Sequence, residues 1–129
     1  NFGAKSVKEM ENVFVDLASK ERRNHILIGE GIDSGGHMFP GKAGKSVFPE
    51  QWSADKIMHE VSDIATDPSV VWVNQKGVQG ALFTKKGDAA RWVTDTVRDG
   101  VEIRVVIEPA GAGIITAFPR SGPGVIFNP

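Results

Sequence analysis

The chain has 129 residues, no cysteine and a formal net charge of −1, which fits one domain with a single core and excludes disulfides and cysteine-ligated zinc. Its 40% hydrophobic and 24% charged residues are ordinary for a soluble globular protein; no apolar run is long enough to span a bilayer, and no basic-then-apolar signal peptide opens the chain. Near-zero charge excludes nucleic-acid binding by overall electrostatics and leaves only a local basic patch. Lys42, Lys45, Lys56, Lys76, Lys85, Lys86, Arg91 and Arg120 could supply one, although a solvated face is the default reading of such a set. The absence of cysteine fits a reducing compartment. A chain that opens on Asn1 reads as one domain of a longer polypeptide.

In chain order, Val7, Met10, Phe14 and Leu17 stand at near-helical spacing. They predict an amphipathic helix from Val7 to Lys20, with Lys20, Arg22 and Arg23 at the negative end of its dipole. His25 then opens an apolar run, Ile26-Leu27-Ile28, read as a strand or a strand edge. A second helix is expected from the N-cap Ser53, with Ile57, Met58, Val61, Ile64 and Ala65 as its stripe, ending at Asp67-Pro68. Two strands are expected next, over 70–73 and 78–84. Asp99-Gly100 between 91–98 and 101–108 is a hairpin signal, with Val101, Ile103, Val105 and Ile107 on one face of the second run. A strand over 114–118 closes the pattern, stopped by Pro119, and the tail needs a surface on which Val125 to Phe127 can dock. Helices first and an antiparallel sheet after them make an α+β domain over 1–129.

The segment NHILIGEGIDSGGHMFPGKAGKS, from Asn24 to Ser46, holds two of the three histidines. Gly29, Gly31, Gly35 and Gly36 permit a tight turn or positive φ, so His25 and His37 can approach each other. Two imidazoles suit paired proton transfer, one as base and one as acid. Cleavage of RNA by its own 2′-OH needs that pair, and Lys42 or Lys45 could stabilise charge on the phosphate. Spacing alone leaves other readings open. A histidine in an apolar strand is more often a hydrogen-bonded core residue, and His25, His37, Glu30 and Asp33 could ligate a metal, without any familiar ligand spacing. Gly36 to Lys42 resembles a phosphate loop only until Ala43, where a Ser or Thr would have to hold magnesium. His59, between Asp55 and Asp63, reads as an exposed histidine with carboxylate neighbours. Trp52, Trp72 and Trp92 read as core.

Taken together, His25-Ile26-Leu27, Gly35-Gly36-His37, Phe48-Pro49 with Trp52, and Ile115-Thr116-Ala117-Phe118-Pro119 resemble the bacterial EndoU nuclease family. The resemblance covers roughly His25 to Pro119. The family is itself similar to the catalytic domains of eukaryotic EndoU and of the coronaviral uridylate-specific endoribonuclease. What the resemblance implies is an EndoU-like fold, of RNase A-like or BECR type, with N-terminal helices packed on an antiparallel sheet. It implies a metal-independent or metal-assisted endoribonuclease that leaves 2′,3′-cyclic phosphate ends. We take the metal-independent form, with no cofactor. On this pattern His37 is the base and His25 the acid, Lys42 or Lys45 and Thr116 act on the phosphate side, and Gly36 and Phe118 bind substrate. The animal and viral enzymes carry a tyrosine in the last strand; this chain has none, and Phe118 stands in its place. Bacterial members are commonly C-terminal toxin domains of large secreted effectors, including contact-dependent growth inhibition systems. That context implies action in the cytoplasm of a target cell, RNA as substrate with tRNA as the class, a cognate immunity protein as partner, and no membrane binding by the domain. Two rival expectations are a non-catalytic RNA-binding module and a metal-dependent hydrolase using His25 and His37.

Overall fold

The computed structural model describes residues 15–31 and 34–129. Of the helix expected over 7–20, residues 7–14 lie outside the described residues, and 15–19 are not helical. The helix instead begins where that one should end: α1 spans Lys20–Leu27. Ser19 caps it, its hydroxyl accepting from the Arg22 N–H at 3.2 Å, and Glu21 sits in the favourable first turn. The apolar run after His25 is therefore helical, not a strand. A short run of this kind has no periodicity of its own; Ile26 and Leu27 are buried while Ile28 is 55% exposed, a helical distribution. Arg22 and Arg23 stand in the first turn, and both are used. Arg22 Nε donates to the Ile115 carbonyl at 2.7 Å. Arg23 pairs with Asp16 at 2.6 Å and Asp55 at 3.3 Å.

The second helix, α2, spans Ala54–Thr66 with Ser53 as N-cap, accepting from the Lys56 N–H at 3.1 Å. Ile57, Met58, Val61 and Ile64 are fully buried along one stripe. The helix stops at Asp67, whose extended φ and ψ suit a residue before proline.

In chain order the strands are β1 (Ser46–Val47), β2 (Val73–Lys76), β3 (Arg91–Arg98), β4 (Val101–Glu108), β5 (Gly113–Ser121) and β6 (Ile126–Phe127). Strands β2-β3-β4-β5 form one antiparallel sheet, and β1 pairs with β6 in a second. The Asp99-Gly100 hairpin is present, both residues at positive φ, with Arg98 paired to Val101. On β4, Val101, Ile103, Val105 and Ile107 are buried. They share one core with Ile26 and Leu27 of α1, the stripe of α2, Phe48, Trp52, and Ile114 and Ala117 of β5. Trp72 and Trp92 are partly buried against that core. The architecture is α+β, helices against one face of an antiparallel sheet.

Three strand expectations are corrected. Only Val73 of the 70–73 run is in a strand, and Val71 is 79% exposed. Residues 78–84 form no strand beyond a single bridge from Phe83 to Ala89. Side chains capture that backbone instead: Asn74 accepts from the Gly80 N–H and donates to the Ala81 carbonyl. Pro119 does not end β5; it lies opposite Ile103 beside a register shift. A proline is tolerated there because β5 is an edge strand.

The tail docks. Besides pairing β6 with β1, it accepts from the Gly44 N–H through the Pro129 carbonyl at 3.1 Å, and Asn128 N–H donates to Lys45 O at 3.0 Å. Asn128 Nδ2 also donates to the carbonyls of Pro40 and Lys42 at 2.9 and 3.0 Å. The tail thus braces 40–47, the segment that carries Lys45. Asn128→Ala removes both side-chain bonds. It should cost about 1–2 kcal/mol of stability and slow any chemistry that depends on Lys45 by roughly threefold to tenfold. Thermal unfolding and the rate of that chemistry, measured on one preparation, would check both.

Candidate active site

His25 and His37 meet because α1 ends. A helix leaves its last carbonyls without intrahelical donors. Here the carbonyls of His25, Ile26 and Leu27 accept from the backbone N–H groups of Gly36, His37 and Met38 at 3.0, 2.8 and 3.1 Å. The glycine-rich segment therefore runs back in step with the end of α1. Gly35 makes the approach possible. Its φ is +70°, and a Cβ there would lie 1.9 Å from the His25 carbonyl oxygen. On the other side, the Phe48 N–H donates to the His37 carbonyl at 2.8 Å.

A cleft of about 400 Å³ opens at this junction. Five residues expected from sequence line it: His25, His37, Lys45, Thr116 and Phe118. Ser34, Gly35, Gly44 and Ser46 complete the lining. Thr116 and Phe118 are two apart on β5 and so project to the same side of the strand. Lys42 and Gly36 do not line the cleft. Lys42 Nζ donates to the Gly31 carbonyl, and its stem packs on Gly36, where a Cβ would come within 2.8 Å of Lys42 Cγ. They pin the turn together, which makes Lys45 the lysine of the cleft. His59 lies elsewhere, with Nδ1 accepting from the Val15 N–H at 3.0 Å.

The two imidazoles have different surroundings. His37 is 7% exposed, and its Nδ1 bonds the Ser46 carbonyl at 2.7 Å. A carbonyl only accepts, so Nδ1 carries a proton, and in the neutral ring Nε2 keeps its lone pair. Its ring stacks on Phe118 at 5.4 Å between centroids and 26° between planes. Burial is the main cause that pushes the His37 pKa below the ordinary 6.5; the Ser46 carbonyl opposes this, and positive charge on Lys45 and His25 adds to it. His25 is at the last turn of α1, with Nδ1 against the Glu30 carboxylate and Ser34 Oγ at 3.4 Å.

This environment predicts a pH signature. A base at His37 must be neutral, so the acid limb of the rate profile should fall below pH 6.5. For stability the unfolded chain takes up the proton first as pH drops. The His37 contribution is complete above about 6.5 and is lost as pH falls from there toward the folded value. Midpoints of thermal unfolding from pH 5 to 8, for the wild type and His37→Asn, should converge on the alkaline side and diverge on the acid side in the sense of a wild-type penalty.

Sequence reading named Gly35 for the turn and missed Ser34, Gly44 and Ser46. Ser46 acts through a backbone carbonyl, which no side-chain motif reports. Ser34 had one usable signal, a hydroxyl inside the glycine-rich turn. Of the residues considered for a metal, Asp33 lies outside the described residues, and among the described residues no group of three or more His, Cys, Asp or Glu could hold an ion.

The sheet edge and the loop gather two imidazoles, a lysine and a threonine in one cleft, groups that can move protons and stabilise charge on a phosphate. Comparison with known families agrees: the family described as bacterial EndoU nuclease matches residues 30–121. The match covers most of the chain, and the chain belongs to that family. His37, Lys45, Thr116 and Phe118 lie inside the matched stretch; His25 lies just ahead of it and enters the cleft through the end of α1. No curated protein and no solved structure matched the chain.

Proposed function

We propose that this nuclease is an endoribonuclease that works without a metal, by transesterification. The observation that carries this reading is the bond from His37 Nδ1–H to the Ser46 carbonyl in a cleft that His25 shares. In the neutral ring that bond leaves Nε2 with its lone pair, as a base requires. His37 takes the 2′-OH proton, and the 2′ oxygen attacks phosphorus. The bond to the 5′ oxygen breaks, and His25 delivers a proton to that oxygen. The products are a 2′,3′-cyclic phosphate and a 5′-OH. Lys45 and the Thr116 hydroxyl stabilise charge on the phosphate. Phe118, stacked on His37, presents an apolar wall to the nucleotide without the phenolic donor of a tyrosine.

The wider reading follows the family. The chain is the toxin domain of a secreted effector of the contact-dependent growth inhibition kind. It acts in the cytoplasm of a target cell, cuts RNA of the tRNA class, and is neutralised by a cognate immunity protein that covers the cleft. The test is to mix the purified chain with total cellular RNA in excess chelator and to map the ends. Discrete cuts with 2′,3′-cyclic phosphate ends are expected. Intact RNA that is cut only after divalent metal is restored would replace this mechanism with a metal-dependent one.

A further inference from the structure

The two histidines differ in what holds Nδ1. For His37 it is a neutral carbonyl; for His25 it is a carboxylate. We propose that Glu30 is a positioning residue that commits His25 to the acid half of the reaction, an inference that rests on the two-histidine reading above.

The argument is one of atoms. A carboxylate at neutral pH only accepts, so the shared proton sits on His25 Nδ1 and the ring is held with Nε2 as its second working nitrogen. To act as an acid, His25 must carry protons on both nitrogens and therefore a positive charge. Glu30 lies where that charge is paired, whereas His37 has Lys45 as its charged neighbour. One imidazole thus faces a carboxylate and the other a lysine, an asymmetry that suits one to the acid role and the other to the base role.

Glu30 is itself held in place. Ser34 Oγ donates to its Oε1 at 2.9 Å, and its own N–H donates to the Ser34 carbonyl at 2.9 Å. Next to it, Lys42 Nζ bonds the Gly31 carbonyl. The His25 and Ser34 bonds, in that order, keep the Glu30 carboxyl below its ordinary pKa, so it is ionised at neutral pH. Glu30 was considered as a metal ligand in the sequence, and its contact with His25 supplies a different role. The side chain is 53% exposed. A carboxylate so open to water contributes little to folding, so replacing it tests chemistry rather than stability.

The leaving group separates the acid from the base. In a ribodinucleotide the departing 5′ oxygen needs a proton. In a nucleoside 3′-(p-nitrophenyl phosphate) the departing nitrophenolate is stable without one. Both substrates lose the 2′-OH proton to the same base. Glu30→Gln, which keeps shape but not charge, should lower kcat on the dinucleotide by roughly tenfold to hundredfold, with KM little changed. On the aryl ester it should lose less than about threefold, since an acid contributes little where the leaving group is good. His25→Ala should show the same selectivity, and His37→Asn should be slow on both substrates. Equal losses for Glu30→Gln on the two substrates, or no loss on either, would overturn the assignment of Glu30. Full activity of folded His37→Asn on both would instead overturn the two-histidine reading itself.

Discussion

His37→Asn is expected to lower the rate of RNA cleavage by roughly 10²–10⁴ while the chain stays folded. The choice of Asn matters. His37 is nearly fully buried, and the Ser46 carbonyl depends on its Nδ1–H. Alanine would orphan that carbonyl at a cost of about 1–3 kcal/mol and would confound lost activity with lost structure. An Asn amide offers an N–H at a similar position but no base. The expected pattern is therefore a thermal midpoint close to the wild type with cleavage nearly gone. His25→Ala should lose a comparable factor on RNA, with a smaller effect on stability than His37→Ala because the ring sits at the helix end and is less buried, 15% exposed. Wild-type cleavage by a folded His37→Asn chain would remove His37 from the chemistry.

Gly35→Ala should be the most damaging glycine-to-alanine change among the described residues. The residue has φ of +70°, and the new Cβ would lie 1.9 Å from the His25 carbonyl oxygen and 2.8 Å from its carbon. Both atoms are backbone, so no side chain can swing away. The left-handed conformation alone costs about 1–3 kcal/mol for a non-glycine residue, and the clash forces the loop off the end of α1. The adjacent bonds, Gly36 N–H to His25 O and His37 N–H to Ile26 O, are the ones that set His37 beside His25. A shift of about 1 Å at such a junction is enough to cost roughly a hundredfold in rate. Gly87→Ala is the matched control, with φ of +88° and nothing within 4 Å of a new Cβ. It should show the backbone strain without the loss of cleavage. Unfolding and cleavage measured side by side would decide; equal behaviour of the two variants would mean that the Gly35 approach is not what assembles the cleft.

Much of the fold was legible where the signal is local. Asp99-Gly100 specifies its hairpin because both residues can take positive φ between β-rich runs. Helix α2 is bounded by the Ser53 hydroxyl at one end and by the residue before Pro68 at the other. Alternation on β4 names its core face directly. The apolar run after His25 failed as a strand signal for the opposite reason. Its burial is decided by Ile26 and Leu27 reaching a core built from distant residues, while the cap at Ser19 starts a helix that a run of apolar residues cannot announce. Residues 78–84 failed because the sequence shows β-prone side chains but not that Asn74 captures the backbone of the loop.

The site divides along the same line. The sequence by itself determined the chemistry available: His25 and His37 around glycines, a lysine on either side of Ala43, and Thr116 and Phe118 on the last long strand. Only the tertiary structure decided which of these share a cleft. Lys45 enters it and Lys42 does not, because Lys42 is drawn to the Gly31 carbonyl and packs on Gly36. Only the tertiary structure decided that Ser46 directs one imidazole and Glu30 the other. The reason is that residue type sets which protons and charges a side chain can carry. Which nitrogen carries a proton, and which lysine reaches the phosphate, depends on carbonyls and carboxylates brought close by backbone bonds between segments distant in sequence.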